Sequence, residues 1–109
     1  MKMDELTIGE AKKLVAMLGT TGKADTFFEV GKNYLIRTVT MIQTGRLLAV
    51  NEQELLLGDA AWIADTGRFS DSLAKNEFNE VEPYHRPVGV GRGAIVDWTE
   101  IDTLPRVQK

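Results

Sequence analysis

The chain has no cysteine among its 109 residues and a single histidine, His85. Without cysteine there is no disulfide, no thiolate nucleophile and no cysteine–zinc centre. With one histidine, a multi-histidine metal site within one chain is excluded, and neither a metal nor a cofactor is expected. No apolar run approaches the roughly 20 residues that a membrane-spanning helix needs. The opening MKMDELTIGE carries no signal-peptide apolar region, so a soluble, cytoplasmic protein without a membrane partner is expected. Net positive charge is missing as well: the formal balance is −3, which argues against a generic duplex-binding protein. No nucleophile–base–orienter set can be picked out, so catalytic residues are not expected.

What remains is ordinary globular material. Hydrophobic residues make up 43% and charged residues 27%. The length suits one domain spanning residues 1–109. Residues 7–18 read as a helix: Thr7 and Glu10 have capping-box spacing, and Ile8, Ala11, Leu14, Val15 and Leu18 form one apolar stripe. Gly19 is a natural stop. A helix this short is unstable alone, so its stripe must pack on its own domain or on a neighbour.

From Phe27 the pattern becomes that of short strands rich in Val, Ile, Thr and Leu. Strands are expected at residues 27–30, 34–42, 46–50, 54–57 and 61–64, with turns at GKN (31–33) and NEQ (51–53). Residues 66–87 break that rhythm and read as an insertion, with a short helix over residues 70–75 capped by Ser70. Strand composition returns at residues 88–101, and residues 102–109 read as a polar tail.

The stretch VGVGRGAIVDW (residues 88–98) spaces Gly89, Gly91 and Gly93 around Arg92. A dinucleotide-binding fingerprint needs a following helix and a further strand. Only sixteen residues follow Gly93, and AIVDW reads as a strand. The stretch is expected to be a strand–turn–strand hairpin, with glycines permitting the turn and Arg92 either facing a ligand or bonded to backbone carbonyls.

Two resemblances follow from these residues. TGRLLAVNEQELLLGDA (residues 44–60) and VGRGAIVDW (residues 90–98) are similar to the two sequence motifs of Sm-like, or more broadly SH3-like, small barrels. That resemblance implies an N-terminal helix followed by a five-stranded barrel, here with a loop–helix insertion. It also implies an RNA-base pocket in which Asn51 stands at the turn-Asp position and Arg92 and Gly93 match, while Glu54 or Leu55 replaces the pocket Asn. YLIRTVT, WIADTGRF and EVEP together also resemble an uncharacterised family of small tailed-bacteriophage proteins.

Candidate binding residues fall in three places. In WIADTGRFSD (residues 62–71), Asp65, Thr66 and Arg68 surround Gly67, flanked by Trp62 and Phe69. Arginine can grip phosphate with two prongs and an aromatic ring can stack on a base. The alternative is a structural turn, with Trp62 in the core and Asp65 capping the next helix. In EPYHRP, Tyr84 and Arg86 flank His85, and the third place is Arg92. The expected function is a phage-encoded homo-oligomer that sequesters a small anionic, nucleotide-derived ligand, such as a host immune signal, without turnover. Arg37 and Arg46 add further cations of the needed type. An Sm-like RNA-binding protein and a structural virion or protein-inhibitor module are the alternatives.

Overall fold

The computed structural model describes residues 26–109, so the helix expected at residues 7–18 lies outside the described residues. The described chain is mainly β. Six strands form one antiparallel sheet with one short helix: β1 (Asn33–Thr38), β2 (Ile42–Val50), β3 (Glu54–Asp65), α1 (Phe69–Lys75), β4 (Glu80–Pro83), β5 (Val88–Gly91) and β6 (Ile95–Glu100). The order across the sheet is β4-β3-β2-β1-β6, with β5 paired to the first half of β3. Among the described residues no helix is long and apolar enough to cross a membrane.

β1 runs through NYLIRT, and its two faces feed two cores because successive side chains alternate. Tyr34 and Ile36 join Leu47, Leu55, Leu57, Ala60 and Val90. Leu35 joins Ala61, Ile63, Phe78 and Val81, with Phe69 of α1 packed alongside. Burial on both faces explains why the central strands read as near-continuous apolar runs.

Several expectations are corrected. Residues 27–30 form a bend and turn, because Phe28 turns inward to pack against Trp98 and edge-on to Tyr34 and leaves the sheet line. Residues 34–42 are not one strand. The Thr38 hydroxyl accepts from Met41 N and donates to Met41 O, closing a tight turn between β1 and β2. The strands expected at 54–57 and 61–64 are one strand, β3, carried across a bulge at Asp59, which has φ 49°. Between Thr44↔Ala61 and Arg46↔Gly58, β3 supplies one residue more than β2. The bulge shifts the alternation, so Leu55, Leu57 and Ala60 share one core.

The stretch 66–87 is only partly an insertion: β4 lies within it and pairs with β3 through Ile63↔Val81. Its helix starts one residue earlier than expected, with Arg68 at the N-cap and no side-chain cap, so Ser70 sits inside the first turn. The expected closing hairpin is overturned. β5 pairs with β3 and β6 pairs with β1, while Arg92–Ala94 forms one 3-10 turn that passes the chain from one to the other. The 3-10 turn is tied to the β1–β2 turn by Val39 N donating to Ala94 O at 3.0 Å.

The polar tail is also part of the fold. Arg106 donates to the Ala60 and Tyr84 carbonyls. Lys109 and Val81 exchange two backbone hydrogen bonds of 3.1 Å, which covers the outer edge of β4.

Candidate functional site

A groove of about 480 Å³ opens at the tip of the β1–β2 turn. Its lining includes Arg37, Val39, Met41, Ile42, Trp62 and Val96. The Asp59 bulge puts Trp62 on the same face as buried Ala60, one step beyond the end of that core. The indole is therefore held on a central strand and still 41% exposed. Val39 at 73% and Val96 at 62% stand exposed on the rim. The Thr38 hydroxyl bonds close the turn that carries Val39 on the groove wall.

The charge of the groove is already matched. Arg37 Nε donates to Asp97 Oδ1 at 2.7 Å, and Nη2 donates to Oδ2, a two-pronged pair across β1 and β6. The guanidinium carbon also lies 5.0 Å from the Phe69 ring centroid. Hydrogen bonding to Arg37 holds the Asp97 carboxyl below the usual aspartate range, and Asp97 in turn raises Arg37. Arg46 is likewise bonded to Asp59, whose carboxyl it lowers.

The other expected residues are dispersed. Asp65 does not cap α1: its Oδ1 accepts from Gly67 N at 2.8 Å, and Thr66 Oγ1 donates to Gly67 O at 2.8 Å. Gly67 has φ 72°, a left-handed conformation in which a side chain is strained. Turn chemistry thus accounts for both polar residues. Trp62 is not the core residue of the alternative reading, since its ring borders solvent. Phe69 is half-buried beneath Arg37. Tyr84 is half-buried, and its hydroxyl accepts from Gln43 Nε2 at 3.0 Å, where Gln43 is the cross-strand neighbour of Trp62. Arg68 and Arg86 are exposed, and among the described residues neither guanidinium has a hydrogen-bond partner.

Arg92 is turned onto its own backbone. Its Nη1 donates to the Asn51 carbonyl, and its main-chain N–H donates to Gln53 O at 2.9 Å. Asn51 is committed too, its Oδ1 accepting from Gln53 N at 2.8 Å and Glu54 N at 2.9 Å. The Asn51 and Arg92 side chains therefore brace the β2–β3 turn through Asn51 Oδ1 and Arg92 Nη1.

Of the eight expected binding residues only Trp62 lines the groove. Sequence reasoning missed Val39, Met41 and Val96, and also Arg106 as a clamp on the tail. Thr38 spaced three residues before Met41 was the available local signal, since a hydroxyl there can close a turn. A second groove, of about 410 Å³, is lined by Phe28, Arg92, Ile95, Val96, Asp97 and Trp98. Among the described residues no group of three or more acidic or histidine side chains gathers to hold a metal ion. Comparison of the chain with protein-family models, with curated proteins and with solved structures finds no match to any of them.

Proposed function

We propose that this protein is a self-associating, non-catalytic binding module whose Trp62 groove holds a small ligand with a planar, nucleobase-like ring. The observation that carries this reading is Trp62 itself: an indole on a central strand, still 41% exposed, flooring a concave surface. Leaving that ring partly exposed forgoes a fraction of the about 1.5–3 kcal/mol that full burial of a large apolar side chain contributes. Stacking a base on it returns about 1–3 kcal/mol. Arg37 is spent on Asp97, so the groove supplies ring recognition. Arg68, exposed but outside the groove lining, is the candidate cation for a phosphate.

Self-association is supported by the sheet edges. β5 bonds only β3, and β6 only β1, so among the described residues each keeps one edge unpaired. Small sheets hide such edges by pairing them between copies. The strand order, with a 3-10 turn before a last strand that returns to β1, is compatible with an Sm-like or SH3-like small barrel. The setting we propose is stoichiometric capture of a nucleotide-derived host signal in the cytoplasm, and it rests on the sequence resemblance of YLIRTVT, WIADTGRF and EVEP to small tailed-phage proteins alone. A protein partner is the second reading, favoured by the exposed Val39 and Val96 on the groove rim. An RNA partner is disfavoured, because Asn51 and Arg92 are bonded to backbone.

The test is native mass spectrometry of protein purified from cells, followed by titration of nucleosides and nucleoside phosphates against tryptophan fluorescence. Retained or added ligand should quench the Trp62 signal, and Trp62→Ala should abolish binding with little change in melting temperature. Binding undiminished in Trp62→Ala removes the groove from the reading. A clean monomer removes the self-association.

A further inference from the structure

We propose that two copies of this chain pair antiparallel through β5, about a two-fold axis at Val90, with Gly89 and Gly91 of each copy hydrogen-bonded to Gly91 and Gly89 of the other. This rests on the self-association proposed above and names the edge that carries it. It is independent of what Trp62 binds.

The register decides which backbone groups β5 has to offer. Arg92 N donates to Gln53 O at 2.9 Å, and β5 runs on from there as Gly91↔Glu54, Val90↔Leu55, Gly89↔Leu56 and Val88↔Leu57. Hydrogen-bonded and non-hydrogen-bonded pairs alternate along an antiparallel ladder. Val88 and Val90 therefore point their N–H and C=O at β3, while Gly89 and Gly91 point theirs off the edge of the sheet. Among the described residues nothing pairs with that edge. These groups are self-complementary: turning a second copy about Val90 sets Gly89 opposite Gly91 twice and closes both pairs.

The side chains agree with that axis. Val90 is 5% exposed and belongs to the inner core, so across the axis it meets another inward valine at the closer, non-hydrogen-bonded spacing. On the outer face Leu56 lies opposite Gly89 and is 40% exposed. It borders the seam on each copy, so the joint is apolar on both faces.

The other two sheet edges are guarded. Lys109 covers β4 by exchanging backbone bonds with Val81. β6 carries Asp97 and Glu100, and charges blunt an edge strand. β5 is Val-Gly-Val-Gly, with no charge, proline or register shift inside it.

Charge selects the antiparallel sense. Exposed Arg86 stands just before β5, and exposed Glu52 and Glu54 stand beside its Gly91 end. Arg92 at that end is already bonded to the Asn51 carbonyl. Antiparallel pairing brings Arg86 of each copy toward Glu52 and Glu54 of the other, whereas parallel pairing sets like beside like.

Gly91→Pro tests this directly. Gly91 has φ −68° and ψ 126°, values that proline adopts, and its N–H is not used by β3. The full-length variant should melt like the wild type. In sedimentation velocity the wild type should be a dimer, and the variant should bind itself more weakly by roughly tenfold or more, since each copy loses a donor at the seam. Val90→Cys, in a chain without cysteine, should oxidise to a dimer and nothing larger, because Cα atoms across such a pair lie about 4.5 Å apart. Val96→Cys on the β6 edge should stay monomeric on the same non-reducing gel. An oligomer that Gly91→Pro leaves intact, with no Val90→Cys cross-link, overturns β5 pairing and leaves self-association standing. Cross-linking through Val96→Cys in place of Val90→Cys overturns it in favour of β6. A monomeric wild type overturns both readings. If Gly91→Pro fails to fold, the presence or absence of the Val90→Cys dimer decides.

Discussion

Two glycine-bearing segments of this sheet look alike in sequence and differ in what they require. At residues 44–46, Gly45 is buried where β2 crosses β3, and an added Cβ would meet Leu57 Cβ at 2.7 Å. No side chain fits there without moving backbone, so the glycine is a packing requirement. At residues 88–93, Gly91 and Gly93 would place a Cβ in open space, and Gly89 would make ordinary contacts with Glu54 Oε1 at 3.6 Å and Leu55 O at 3.9 Å. Gly91 has φ −68°, an ordinary extended value, and none of these three glycines is among the positive-φ residues. The glycine cluster that dominates the sequence thus has no internal reason to be glycine. The isolated Gly45 does.

The contrast can be broken by substitution. Gly45→Ala should cost about 1–3 kcal/mol, as overpacking does, read as a lower urea midpoint at unchanged m-value. Beside it, Thr44 is fully buried and its hydroxyl has no hydrogen-bond partner. Thr44→Val should raise stability by about 1 kcal/mol, because an apolar group of the same shape removes an uncompensated polar atom. A loss instead would show that the hydroxyl is satisfied in solution.

Smaller effects belong to the other segment. Gly91→Ala and Gly93→Ala should each be neutral or stabilising by up to about 1 kcal/mol, through the lost freedom of the unfolded chain. The same variants examined by size-exclusion chromatography sharpen the point. A normal melting temperature with a lost oligomer would show that these glycines serve an approach by another chain along the free β5 edge. A cost as large as that of Gly45→Ala would erase the contrast.

The smallest effect is expected in acid. Asp59 steadies the bulge above Gly45 through Arg46, and Asp97 holds β6 to β1 through Arg37. Both carboxyls are lowered in the folded state by hydrogen bonding to their arginines. Their contribution is present above the ordinary aspartate range and is lost as pH falls through the lowered folded values. Both pairs are exposed, so the effect is modest and shrinks with salt. Melting temperatures of wild type, Asp59→Asn and Asp97→Asn across acid pH should converge, since the variants lack the group being protonated.

Local pattern made much of the fold legible. The central strands showed as Val-, Ile- and Leu-rich runs, and the helix near residues 70–75 showed within one residue. What stayed hidden was where runs join or divide. The Asp59 bulge merges two runs because strand continuity is set by the partner's register, and a hydroxyl at Thr38 divides another. The candidate site was less legible. Trp62 was visible as an aromatic next to turn residues, yet its companions Val39 and Val96 come from distant turns and strands. Asp65, Thr66 and Arg92 carry the residue types of a binding site, but here they spend their polar atoms on the backbone.

By itself the sequence determined the exclusions and the β-rich composition: without cysteine and with one histidine, thiol chemistry and a multi-histidine metal site within one chain are closed. Only the tertiary structure decided that VGVGRGAIVDW is a crossing between two edges rather than a hairpin. The reason is physical. A glycine-rich turn is equally compatible with pairing its flanking strands to each other or to others, and the choice rests with the apolar faces of β1 and β3, far away in sequence. The same long-range packing turned Arg92 onto Asn51 and left Trp62 at the surface.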